Sequence, residues 1–247
     1  MTFSSWVKLL TGFVVVFALF QTLGYFFQSG RGQAGVTIGI AVVSATLVFQ
    51  ILLHHTGLRK SIVGLGLGAP SARGIFASAG VSFLLLSIFP AYSIANGIDL
   101  VLATQWLWSI PGLFFQAGIA EETLFRGYLF GNLREGRTFW RAAILSAIPF
   151  AVVHIFLFFT MPFLVAAAAF LLAVVMSFPF AYMFELGGRT IWAPALLHFV
   201  VQGAIKLVTM PDDALQSLAI VWMAACAIIP WCVFLIPQRA ANVESAL

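Results

Sequence analysis

Residues 120–130 read AEETLFRGYLF and lie inside a run apolar enough for a membrane helix. Leu113, Phe114 and Phe115 precede the stretch and Tyr128, Leu129 and Phe130 close it, yet Glu121, Glu122 and Arg126 put three charges within six positions. Whether those charges are ordinary depends on what surrounds the helix. Of the 247 residues, 62% are hydrophobic and only 8% charged, whereas a soluble domain carries roughly 25% charged residues. With a mean hydropathy of +1.06, no soluble fold could cover the apolar surface of this chain. The sequence predicts an all-α, polytopic membrane helix bundle. A charge in mid-bilayer costs at least ~2.5–3.5 kcal/mol, so it belongs on the protein's interior and usually has a function.

A spanning helix needs about 20 mostly apolar residues. Eight segments qualify: 6–28, 34–56, 74–95, 101–130, 140–160, 162–184, 191–210 and 216–236. The first has Lys8 before its apolar run but is too long for a signal peptide and lacks a small-x-small cleavage site. It reads as an uncleaved span. The chain divides into three N-terminal spans (1–100), the helices that carry the buried charges (101–210), and a last span with a short polar tail (211–247). The connection 57–73 is short, Gly-rich and basic, and is expected to lie along the cytoplasmic surface. Cys226 and Cys232, six residues apart in one apolar segment, are separated by ~9 Å of helix, too far for a disulfide.

Eight spans put both termini on one face together with Lys8, Arg59, Lys60, Arg73, Arg134, Arg137, Arg141, Arg189 and Arg239, nine cations against Arg31 on the other. The positive-inside rule makes the crowded face cytoplasmic. The pI near 9.4 therefore reflects membrane topology. No basic run, nucleotide-binding loop or stacking motif points to nucleic acid. Lys206 is expected to snorkel outward from the seventh span.

Two histidines accompany the charges: His154 in span five, within PFAVVHIF, and His198 in span seven, with Gln202 one turn later. Counted from the cytoplasmic ends, Glu121 lies ~15 Å deep, His198 ~12 Å and His154 ~20 Å. The three share the middle or cytoplasmic half of the bilayer. Glu122 and Arg126 are spaced i,i+4 with the acid first, the better orientation for a pair on one helix. Glu121 points about 100° away and must face something else. A Glu and a His around one water can strip its proton and make a nucleophile. A second His and an amide can donate hydrogen bonds to an oxyanion. Hydrolysis of a peptide bond would follow. The same Glu121, His154 and His198 could hold zinc with a water, although HExxH is absent; the sequence leaves a divalent metal and a metal-free glutamate mechanism equally open. No G-x-S-x-G elbow suggests serine chemistry. A non-catalytic interaction or immunity protein and a proton-coupled carrier are the competing classes, the latter without the internal repeats such carriers show.

At these residues the chain resembles the CPBP intramembrane proteases, also called the Abi or CAAX-protease type 2 family. Their motifs EExxxR, FxxxH and HxxxN correspond to EETLFR at Glu121–Arg126, FAVVH at Phe150–His154 and HFVVQ at His198–Gln202. The resemblance covers roughly residues 110–206. It implies an eight-helix intramembrane endopeptidase of a bacterial or archaeal cell membrane, acting on a membrane-embedded or lipid-anchored peptide, CAAX-like or a leader peptide. By the same implication Glu121 is the base that activates water, His154 helps bind that water, and His198 with residue 202 stabilises the oxyanion. Glu122, Arg126 and Phe150 support the site. Gln202 departs from the family's usual Asn, keeping the amide on a stem one methylene longer.

Overall fold

The computed structural model describes residues 3–27 and 31–238. Arg239 and most of the polar tail lie outside them. Helices α1 (Phe3–Phe26) and α2 (Arg31–His54) are followed by a short α3 (Leu58–Gly64). Next come α4 (Ala72–Leu86) and α5 (Ile88–Asn96), which together make the third span. A two-residue strand β1 (Val101–Leu102) leads into α6 (Trp106–Leu113), whose path continues through π-helical turns at Phe114–Ala120 and Thr123–Phe130 to α7 (Gly131–Arg134). Then come α8 (Phe139–His154), α9 (Leu157–Thr160), α10 (Phe163–Leu186) and α11 (Trp192–Gly203). After a 3₁₀ turn at Ala204–Leu207 and strand β2 (Val208–Thr209), α12 (Asp212–Ile228) ends in a 3₁₀ stretch, Ile229–Leu235.

The protein is a helical membrane bundle and its eight apolar segments all appear in it. Among the described residues, six helices are long and apolar enough to cross a membrane. The other two segments, 106–134 and 192–207, carry the buried charges and the short helix α11. Both predicted spans were drawn too long at one end: 101–102 and 208–209 pair as an antiparallel ribbon, Val101 opposite Thr209. The connection 57–73 packs back onto the bundle. Leu65 is fully buried, Gly66 O accepts Ile191 N at 3.0 Å and Gly68 O accepts Trp192 Nε1 at 2.7 Å. The segment is thus tied to the start of α11. Its backbone carbonyls find donors there, as a buried loop requires. Both cysteines are free, as their spacing demands.

Lipid tails are as apolar as leucine, so close backbone approach and tight packing replace the hydrophobic effect between membrane helices. The α2–α6 crossing shows this. A Cβ on Gly35 would lie 2.0 Å from Gly112 O, so any side chain there would push the helices apart. This contact fixes the outer half of the charged helix against α2. The core then runs inward from Phe13 and Ile38 past Leu124 and Phe125 to Phe130 and Phe184. Phe125 sits edge-on to both Phe13 and Phe150, with centroids 5.4 and 4.6 Å apart.

Candidate active site

The two π-helical turns flank Glu121 and Glu122. Sequence reading took this span as regular α-helix; the structure instead widens it on both sides of the acids, a deviation that π-bulges commonly mark at functional sites. The helix approaches α11 closely at Gly118, where a Cβ would lie 2.7 Å from Ala195 O. That closeness sets both glutamates, three and four residues on, against His198, three residues past Ala195.

Glu122 is fully buried, and its Oε1 accepts Arg126 Nη1 at 3.0 Å. The predicted pair is present. The same oxygen lies 2.6 Å from His198 Nδ1, and because a carboxylate only accepts, the ring nitrogen is the donor. The second contact was not foreseen. The guanidinium is itself enclosed, its carbon 4.7 Å from the Phe150 ring centroid and 4.8 Å from that of Phe180. Cation–π attraction is strongest in such desolvated settings. Phe180 also stacks on His198, with centroids 4.6 Å apart and planes 24° from parallel. One aromatic ring therefore touches both partners of Glu122. Glu122 Oε2 and Arg126 Nη2 have no hydrogen-bond partner among the described residues.

Glu121 faces elsewhere, as the helical turn requires. Its Oε2 is 3.6 Å from His198 Nε2 and its Oε1 is 3.5 Å from Gln202 Nε2. With Gln202 and His154 it lines a cavity of about 840 Å³, walled also by Phe17, Leu113 and Phe125. His154 ends α8 with Nδ1 at 2.6 Å from Phe150 O. A carbonyl only accepts, so Nδ1 carries the proton and Nε2 remains an acceptor for the cavity.

Glu121, His154 and Gln202 thus share one cavity, while His198, only 5% exposed, stands behind Glu121 without lining it. Lys206, expected to snorkel away, is exposed but lines that cavity too. Glu185, at the end of α10, is ion-paired with Arg134. Phe180 had no signal: it is one of 26 phenylalanines and belongs to none of the three motifs. The trio suggested for zinc was Glu121, His154 and His198. Among the described residues no three His, Cys, Asp or Glu side chains are grouped to hold a metal ion, and His198 does not line the cavity that Glu121 and His154 share. As placed, the trio does not fit one.

Residues 103–204 match the family model of the type II CAAX prenyl endopeptidases, Rce1-like. The match spans all three motifs and bears out the resemblance read from them. It supports, in general terms, a membrane endopeptidase of the CAAX type. No curated protein matches the chain significantly.

Proposed function

We propose that this integral membrane protein is an intramembrane endopeptidase that hydrolyses a peptide bond of a membrane-associated substrate with a water activated by Glu121. The observation that carries the reading is the unequal environment of two adjacent acids. Glu122 is buried and already engaged by Arg126 and His198, whereas Glu121 borders a cavity beside a histidine whose Nε2 is an open acceptor.

In this reading a water in the cavity donates one hydrogen bond to Glu121 and one to His154 Nε2. Glu121 takes its proton as the oxygen attacks the carbonyl carbon, forming a tetrahedral oxyanion, and returns the proton to the departing amine. The Gln202 amide, on the cavity wall and 3.5 Å from Glu121, donates to the oxyanion. His198, its ring fixed by Glu122 and Phe180, stands behind Glu121 with Nε2 3.6 Å from Glu121 Oε2. This differs from the role the resemblance implies for His198, because the histidine is screened from the cavity and the amide is not. A membrane-embedded or lipid-anchored peptide, whether CAAX-like or a leader, is the substrate class. The test is the membrane proteome of cells carrying the wild-type or the Glu121→Gln protein: cleavage products present only with the wild type support an endopeptidase, and identical proteomes remove it.

A further inference from the structure

The bundle has two distinguishable ends. At one, Arg137 lies 5.4 Å over the Trp6 ring, Arg134 pairs with Glu185, and Arg73 Nη2 donates to Pro237 O at 2.5 Å. The start of α1, the turn after α7, the end of α10, the start of α4 and the end of the last span therefore meet there. At the other end β1 pairs with β2, Gln33 bonds Gln105 at 2.5 Å, and Asp212 and Asp213 open α12. Among the described residues the first end holds Lys8, Arg59, Lys60, Arg73, Arg134, Arg137, Arg141 and Arg189, and the second only Arg31 and Lys206. Such asymmetry makes the first end cytoplasmic.

The cavity belongs to the other end. Its floor is Glu121, His154 and Gln202, and its walls run to Gly24 near the end of α1, Gly32 in the first turn of α2, and Thr160, the last residue of α9. Six residues, ~9 Å of helix, separate His154 from Thr160, while ~22 Å separate it from Phe139 at the cytoplasmic end of α8. For His154 the depth count made from the cytoplasmic end thus measured the longer way in, while Glu121 sits near the middle of its span, between Trp106 and Arg134.

We infer that the substrate reaches Glu121 from the non-cytoplasmic face. This rests on the endopeptidase reading and adds a direction to it: the scissile bond lies in a stretch of membrane-anchored or translocated polypeptide that emerges on that side. A peptide bond must leave its helix to be attacked, and unwound backbone is tolerated at membrane depth only where it is buried in protein or lines a water-filled cavity. The walls suit an extended segment with apolar side chains, through Phe17, Phe20, Leu113 and Leu157. A peptide anchored in the cytoplasmic leaflet would have to pass the packed core around Leu124 and Phe130 to arrive.

The test is cysteine labelling of the full chain in a bacterial host, with Cys226 and Cys232 replaced by Ala. Thr160→Cys and Gln21→Cys place thiols at exposed positions of the cavity wall, and Arg141→Cys places one at the opposite end. A membrane-impermeant maleimide should label the first two in spheroplasts and lose them in inverted vesicles, and Arg141→Cys should do the reverse. The opposite pattern overturns the inference. Cleavage lost on Glu121→Gln is followed in parallel, and its products should map to non-cytoplasmic segments. Reversed labelling with cleavage still dependent on Glu121 would leave the protease standing and its sidedness wrong. Expected labelling with no such cleavage would remove the protease, and the substrate with it.

Discussion

His198 Nδ1 lies 2.6 Å from Glu122 Oε1, the oxygen that also accepts Arg126 Nη1 at 3.0 Å. One buried carboxylate oxygen thus joins the EExxxR helix to α11, and Phe180 covers the joint from a third helix. Removing either charge strands the other. Glu122→Gln should lower stability by about 3–5 kcal/mol, the usual cost of breaking a buried pair, and should cut activity because His198 loses its anchor. Replacing Glu122 and Arg126 together with Leu and Met should recover part of the stability, since neither charge is left alone. Thermal unfolding in detergent checks both; a fully stable Glu122→Gln would show that the pair does not hold the bundle.

Phe180 contacts Arg126 by its face and His198 by stacking. Phe180→Leu keeps most of the volume and removes the ring. A loss of about 0.5–2 kcal/mol is expected from the cation–π contact, with a further fall in cleavage as His198 loosens. Phe180→Ala adds a cavity and should cost about 3–5 kcal/mol. Unfolding and cleavage measured together would reveal a purely structural role, in which a stable fraction of Phe180→Leu cleaves at the wild-type rate.

The contrast between Phe180 and the motif residues shows what was legible. Length and hydropathy predicted the bundle and its eight segments because bilayer thickness sets both. Glu122–Arg126, Phe150–His154 and His198–Gln202 were legible because i,i+4 spacing puts two side chains on one face whatever the tertiary structure. Phe180 belongs to no such pair, and its place follows from how α10 packs. The π-helical turns were equally hidden, since their register is coupled to contacts such as Gly118 against Ala195, which lie 77 positions apart in sequence. The same holds for the His198–Glu122 bond: depth along each helix was readable, but which side of Glu121 the imidazole occupies was not. Leu65 looked like a loop residue because its neighbours are glycines, yet it is buried with its backbone against Gly127, where a Cβ would lie 2.3 Å from Leu65 O.

Gln202 tests the division of labour at the cavity. Its amide faces Glu121 and the cavity, while His198 is screened. Gln202→Ala should reduce kcat by about 10²–10³-fold, the usual cost of one oxyanion donor, with little change in thermal stability. An unchanged kcat would return the oxyanion role to His198.

Gly112 and Gly35 test the crossing that orients the charged helix. A side chain at Gly35 would meet the Gly112 carbonyl at 2.0 Å, so Gly35→Leu should force α2 away and lower both folding yield and activity. Gly97→Ala is the control for a glycine that touches no neighbour, although its φ of 63° costs ~1–2 kcal/mol of local strain. A Gly35→Leu protein as stable as wild type would mean the helices do not cross this closely.

The central claim is that Glu121 activates water while Glu122 holds the site together, and one substitution separates these roles. Glu121→Gln keeps the shape of the side chain but cannot take a proton. The measurement is cleavage of a membrane-anchored substrate in proteoliposomes, beside thermal unfolding of the same preparation. The account predicts an unfolding temperature within a few degrees of wild type and a loss of cleavage of at least about 10²-fold, the lower range for general base catalysis. A Glu121→Gln protein that cleaves at the wild-type rate would contradict it.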